Sequence, residues 1–150
     1  MGDMLGGVLA DALEGVPGRS LTTALLRDNR MSDRCVARLL GVLAAHRSLE
    51  SVDLSLNGVR ALGVAALLRA AEGGCPLRSL RLDSCGVGDR VGATLVGGLV
   101  GVPSLETLVM SRNELDVACG VAFGRLLAAK GCGLVELDAS WNRCACATRW

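Results

Sequence analysis

The sequence predicts an α/β solenoid in which strand–turn–helix coils stack side by side, parallel strands on the inner, concave face and helices on the outer, convex face. Three observations predict it. Five segments superimpose at a near-constant interval, apolar residues inside each segment alternate with period two, and apolar residues between segments recur at helical spacing.

The five segments are Leu21 to Met31, Leu49 to Val59, Leu77 to Val87, Leu105 to Leu115 and Leu134 to Cys144. Each fits L-x-x-L-x-L-x-x-N/C-x-L with apolar substitutions. Their ninth positions are Asn29, Asn57, Cys85, Asn113 and Asn142, at intervals of 28, 28, 28 and 29 residues. Alternation at the centre of each, as in Val52 and Leu54 or Leu108 and Met110, marks a short strand with one buried face. After the ninth residue, Val36, Leu39 and Leu43 share one helix face, as do Val64, Leu67 and Ala71, then Gly92, Leu95 and Leu99, then Gly120, Phe123 and Leu127.

No such unit buries its apolar side alone, so consecutive units must stack, and stability becomes a sum of nearest-neighbour terms. Parallel strands lie about 4.7–4.9 Å apart, whereas helices need about 10 Å. The array must therefore bend. The ninth-position amide has donor and acceptor for the backbone where the strand ends, and Cys85 offers only a weak donor there. The helix after the third strand, with Gly92, Gly97, Gly98 and Gly101 in or beside it, is the poorest helix former, at about 1 kcal/mol per interior Gly relative to Ala.

Composition narrows function. The chain has 150 residues, 51% hydrophobic, with 16 Lys+Arg against 15 Asp+Glu. A net charge of +1 supplies no field for a nucleic-acid backbone, and aromatic residues at 2% supply no stacking platform. Neither nucleic acid nor membrane is an expected partner, the longest uncharged run being Val91 to Leu105, interrupted by Pro103. Seven cysteines, an odd number in a chain able to build its own core, argue for a reducing, cytoplasmic setting. The residues from Met1 to Leu13 lack the basic start of a secretory signal.

No constellation nominates an enzyme, a cofactor, a metal or a small-molecule substrate. His46 is the sole histidine, at a helix end. Cys144 and Cys146 form C-x-C without paired C-x-x-C spacing, and Gly86, Gly88 and Gly92 are one residue too long for a dinucleotide fingerprint. Asp53 and Asp83 lie on neighbouring coils with Arg81 near both. A surface ion pair from Asp53 to Arg81 outweighs a glycosidase-like carboxylate pair.

The strand positions between the buried ones, with the residue before each ninth position, form a continuous wall. Its expected partner-binding residues are Leu25, Arg27, Asp53, Leu56, Arg81, Asp83, Val109, Arg112, Asp138 and Trp141. Trp and Arg among them are enriched in binding hot spots. Trp141 has a second reading, as cover for the open end of the array.

Those segments make the chain resemble leucine-rich-repeat proteins of the ribonuclease-inhibitor type, over about Leu5 to Cys144. Ala24 and Ala139 depart from the pattern, standing where strand leucines are expected. The resemblance implies a right-handed βα horseshoe and a non-enzymatic module that binds a partner protein on its concave face. It leaves an alternative, since some arrays of this kind, the Ran GTPase-activating protein among them, regulate a small GTPase. Residues 1–15 match only the helical half of a preceding unit and the fifth strand has no helix after it, so the expectation is one array, 1–150, cut from a longer one.

Overall fold

The computed structural model describes residues 2–14, 21–45 and 47–143. Helices and strands alternate along them: α1 (Gly2–Glu14), β1 (Thr23–Leu25), α2 (Asp33–Ala44), β2 (Ser51–Asp53), α3 (Ala61–Glu72), β3 (Ser79–Arg81), α4 (Asp89–Leu99), β4 (Thr107–Val109), α5 (Val117–Ala128) and β5 (Glu136–Asp138). The strands form one open parallel sheet in sequence order, β1-β2-β3-β4-β5. Register follows the repeat: Ala24, Val52, Leu80, Leu108 and Leu137 stand side by side. The chain is a repeating α/β solenoid, each strand the centre of one of the five superimposed segments.

The core lies between sheet and helices. Leu54, Leu82 and Met110 from the strand side meet Val36, Leu39, Leu67, Leu95 and Phe123 from the helices. Three positions expected on this face do not fully reach it: Ala71 and Gly120 are half-buried and Leu127 is exposed. In α3 and α5 the preceding residues, Ala70 and Leu126, take the buried place, whereas in α2 and α4 it is Leu43 and Leu99. Alternate helices are thus turned by about one residue about their axes, which a single 3.6-residue template does not foresee.

The same alternation appears at the helix starts. Neither α3 nor α5 has a side-chain cap of its own. The Asp33 carboxylate, at the start of α2, instead accepts the Arg60, Leu62 and Gly63 N–H groups of the next coil at 2.7–3.0 Å. Asp89, at the start of α4, does the same for Asp116, Ala118 and Cys119 at 2.8–3.1 Å. Where α4 would receive such a carboxylate the preceding coil carries Ala61, and α4 begins at Gly88 without a side-chain cap. Accordingly α3 and α4 approach less extensively than α2 and α3 or α4 and α5. The weak helix after the third strand is thus joined closely to the helix after it and loosely to the helix before it.

Candidate functional site

The strand face is built by a ladder of side-chain amides. Asn57 donates through Nδ2 to the Leu26, Leu54 and Ser55 carbonyls (2.8, 2.9 and 3.2 Å) and accepts the Met31 N–H at Oδ1 (2.9 Å). Asn113 and Asn142 repeat this arrangement two and three coils further on. At Cys85 the thiol donates to the Leu54 carbonyl at 3.2 Å. Its burial, opposed by the Asn57 N–H, pushes the thiol up to about 11. From Asn57 onward, each ladder residue closes one coil and grips the coil before it.

The residue ahead of the ladder is held in the left-handed region in every coil: Asp28 (φ 56°), Leu56 (60°), Ser84 (54°), Arg112 (53°) and Trp141 (56°). Side chains other than Gly or Asn adopt this conformation at a cost of about 1–2 kcal/mol each. The neighbouring coil holds it. The N–H groups of Asp28, Leu56, Ser84 and Arg112 donate to the Ser55, Asp83, Ser111 and Ser140 carbonyls at 2.8–3.0 Å. The left-handed turn fixes at the rim of the sheet the five side chains that precede the ninth positions.

The expected wall divides into three groups. Leu25 (73% exposed), Trp141 (79% exposed), Arg27, Arg81 and Arg112 stand in solvent, and Asp53, Leu56 and Asp138 are half-buried. Asp83 and Val109 correct the expectation, at 8% and 6% exposed. Asp83 accepts the Ser111 hydroxyl at 2.7 Å and the Ser84 hydroxyl at 3.3 Å, under the Arg27 guanidinium at 3.6 Å. Val109 lies in register between Arg81 and Asp138, and Arg81 reaches over the fourth strand to Glu136 at 3.8 Å. Long arginines reaching over a short row bury it.

That reach also corrects the expected Asp53–Arg81 pair. The two residues are register partners, but the ion pair of Arg81 is with Glu136, and Asp53 Oδ1 accepts the Ser55 N–H at 2.9 Å. With Asp83 buried beneath serines, Asp53 and Asp83 are not two open carboxylates facing a common substrate. Asp138 is held below the usual carboxylate range by the Ser140 hydroxyl and N–H. Trp141, at 79% exposure, presents most of its ring to solvent.

Among the described residues no group of three or more His, Cys, Asp or Glu side chains could hold a metal ion, and no helix is long and apolar enough to cross a membrane. His46, Cys144 and Cys146 lie outside the described residues.

A family model described as Leucine Rich repeat matches residues 45–68, which span β2, its ladder residue Asn57 and the first two turns of α3. Repeats of this family generally mediate protein–protein interaction and are typically non-enzymatic.

Proposed function

We propose that the chain is an interaction module of the ribonuclease-inhibitor type of leucine-rich repeat, binding a partner protein on a concave strand face. The observation that carries this reading is the combination of exposed anchors and rigid backbone. Leu25, Arg81, Arg112 and Trp141 project from a sheet whose register and left-handed turns are fixed by inter-coil hydrogen bonds. Large side chains on a pre-organised surface lose little entropy on binding. The subtype is supported by the 28-residue interval, one helix per coil, and the exchange of Asn for Cys at the ladder.

The sites proposed to meet the partner are Leu25, Arg27, Asp53, Leu56, Arg81, Arg112, Asp138 and Trp141, with Asp83 positioning Arg27 from below. A photo-crosslinking side chain at Asp53 or Arg112 is expected to yield one discrete protein adduct in an extract of the source cells, and one at Arg69 or Arg90 none. A Trp141→Ala/Arg112→Ala variant should keep its fold and lose the adduct. Adducts formed only from the helix side would overturn the reading. Accelerated GTP hydrolysis by an added small GTPase would identify the partner class as that of the alternative.

A further inference from the structure

The coils are not equally joined. With β1 and α2 counted as the first coil, β2 and α3 as the second, and β3 and α4 as the third, the boundary between the second and third is firm along the sheet and loose between the helices. We propose that this boundary is a hinge: α3 and α4 part and close about an axis in the sheet, so that the first two coils move as one rigid block against the coils that follow.

Three bonds that hold the neighbouring boundaries are missing here. The carboxylate clamp is the first. Asp33 and Asp89 each accept three N–H groups of the next coil, and Ala61 stands at the same repeat position between them. The second is a turn bond. Gly58 and Glu114 donate their N–H groups to the Met31 and Val87 carbonyls at 2.8 and 3.0 Å, whereas Gly86, at the same position, takes the left-handed conformation (φ 68°) and makes no such bond among the described residues. The ladder oxygen is the third. Asn57 and Asn113 accept the Met31 and Val87 N–H groups at Oδ1 (2.9 and 3.0 Å), but Cys85 has no side-chain oxygen, and the equivalent Val59 N–H turns to the Cys85 backbone carbonyl at 3.2 Å.

Helix packing agrees. Leu68 of α3 faces Gly98 of α4, where an added Cβ would lie 3.2 Å from Leu68 Cγ, yet Leu68 is half-buried and Gly98 exposed. Leu40 and Val96, at the repeat position of Leu68, are buried, and so are Ala70 and Leu126, at that of Gly98.

The sheet side of the same boundary is fully tied. Leu54 and Leu56 donate their N–H groups to the Arg81 and Asp83 carbonyls at 2.9 and 2.8 Å, and Arg78 and Ser79 donate theirs to the Glu50 carbonyl at 2.7 and 3.0 Å. The Asp83 N–H donates to the Ser55 hydroxyl at 3.2 Å, and Arg27 of the first coil reaches Asp83 of the third at 3.6 Å. In a stacked array each boundary has its own stability, and the weakest opens first. Tied on the inside and loose on the outside, this one opens by rotation about the strands.

Parting α3 from α4 sharpens the bend and draws Leu25 and Asp53 on one block toward Arg112 and Trp141 on the other. A partner on the concave face would thus be gripped by a wall of adjustable curvature. That consequence rests on the partner-binding reading, and the hinge itself does not.

The test is a spin–spin distance measurement on the free 150-residue chain. Labels are attached through keto side chains introduced at Gly41 and Arg125, exposed residues at the same repeat position three coils apart, so that native cysteines stay unlabelled. The chain is expected to give a broad distance distribution. Two independent locks should narrow it. Ala61→Asp supplies the missing carboxylate to the Gly88, Arg90 and Val91 N–H groups. An oxidised Leu68→Cys/Gly98→Cys pair, within a disulfide's reach, closes α3 on α4, and reduction should restore the width. A distribution as narrow without the locks as with them overturns the proposal, and so does a broad one that neither lock narrows. Because the chain is measured alone, either failure leaves the partner-binding reading standing, and a failed crosslink from the concave face leaves the hinge standing.

Discussion

The Asp89 carboxylate reaches across a coil boundary, its Oδ1 accepting the Cys119 N–H at 2.8 Å at the start of a helix to which Asp89 does not belong. A helix start leaves N–H groups without intrahelical acceptors, and a carboxylate there satisfies them and faces the positive end of the dipole. The bond therefore works twice, as a cap for α5 and as a clamp between the fourth and fifth helices.

Removing that clamp should cost stability in a pH-dependent way. Burial raises the Asp89 carboxyl, but the Cys119, Asp116 and Ala118 N–H groups outweigh it and hold the group below the ordinary range. A folded-state value below the unfolded one contributes stability that is present above the unfolded value of about 4 and lost as pH falls through the folded value. Asp89→Ala should lose about 0.5–2 kcal/mol at pH 7, the usual range for a lost cap. Its urea midpoint should then fall less steeply than the native chain's as pH is lowered below about 4. Parallel acid profiles for the two proteins would contradict this role.

Asn57 is the ladder amide that joins the first two strands, with three bonds donated and one accepted. Asn57→Ala should destabilise the chain by about 1–3 kcal/mol through the turn groups left unsatisfied. Leu56 precedes it at φ 60°. Leu56→Asn should be tolerated there, and Leu56→Val should cost about 1–2 kcal/mol more than Leu56→Asn, because a β-branched side chain is strained in the left-handed region. Equal denaturation midpoints for the two Leu56 variants would remove the backbone argument.

Thiol chemistry should sort by position. Cys85 is buried at the ladder with its thiol pushed up to about 11, and Cys75 is buried and shifted the same way by its desolvation. Cys35 and Cys132 are half-buried. Since the thiolate is the reactive form and a reagent must reach it, a disulfide reagent at about pH 8 should label the half-buried Cys35 and Cys132 before Cys85, which reacts only at the rate at which the chain opens. Mass spectrometry of a time course checks the order, and early labelling of Cys85 would mean that the third coil opens locally.

The strands and the ladder were legible in the sequence because both depend on single positions repeating at a fixed interval. The strand centres at Val52, Leu80 and Leu108 fall where alternation puts them. What escaped depends on side-chain length and on neighbouring coils. Val109 reads as an outward residue by period two, but Arg81 extends over its strand to Glu136. Asp83 reads as outward as well, yet serines on two coils and Arg27 from two strands away enclose it. Asp33 and Asp89 carry no local capping signature, because the helices they serve each begin 28 residues later, at Ala61 and Val117.

The glycines of α4 separate the cost of a weak helix from the need for close packing. A Cβ at Gly97 would meet nothing within 4 Å, so Gly97→Ala should stabilise the chain by about 1 kcal/mol, the intrinsic helix preference alone. A Cβ at Gly92 would fall 2.5 Å from Leu115 Cδ2 and 3.2 Å from Cys119 Sγ, both on side chains that are fully buried. Leu115 has no free volume to retreat into, so the same substitution at Gly92 should destabilise by about 1–3 kcal/mol, as overpacking does. Gly98 is intermediate: its Cβ would clash with Leu68 Cδ2, but Leu68 is only half-buried and can turn outward. Thermal midpoints should therefore rank Gly97→Ala above Gly98→Ala above Gly92→Ala. If Gly92→Ala also raised the midpoint, α4 and α5 would not be in the close contact that carries the fifth coil.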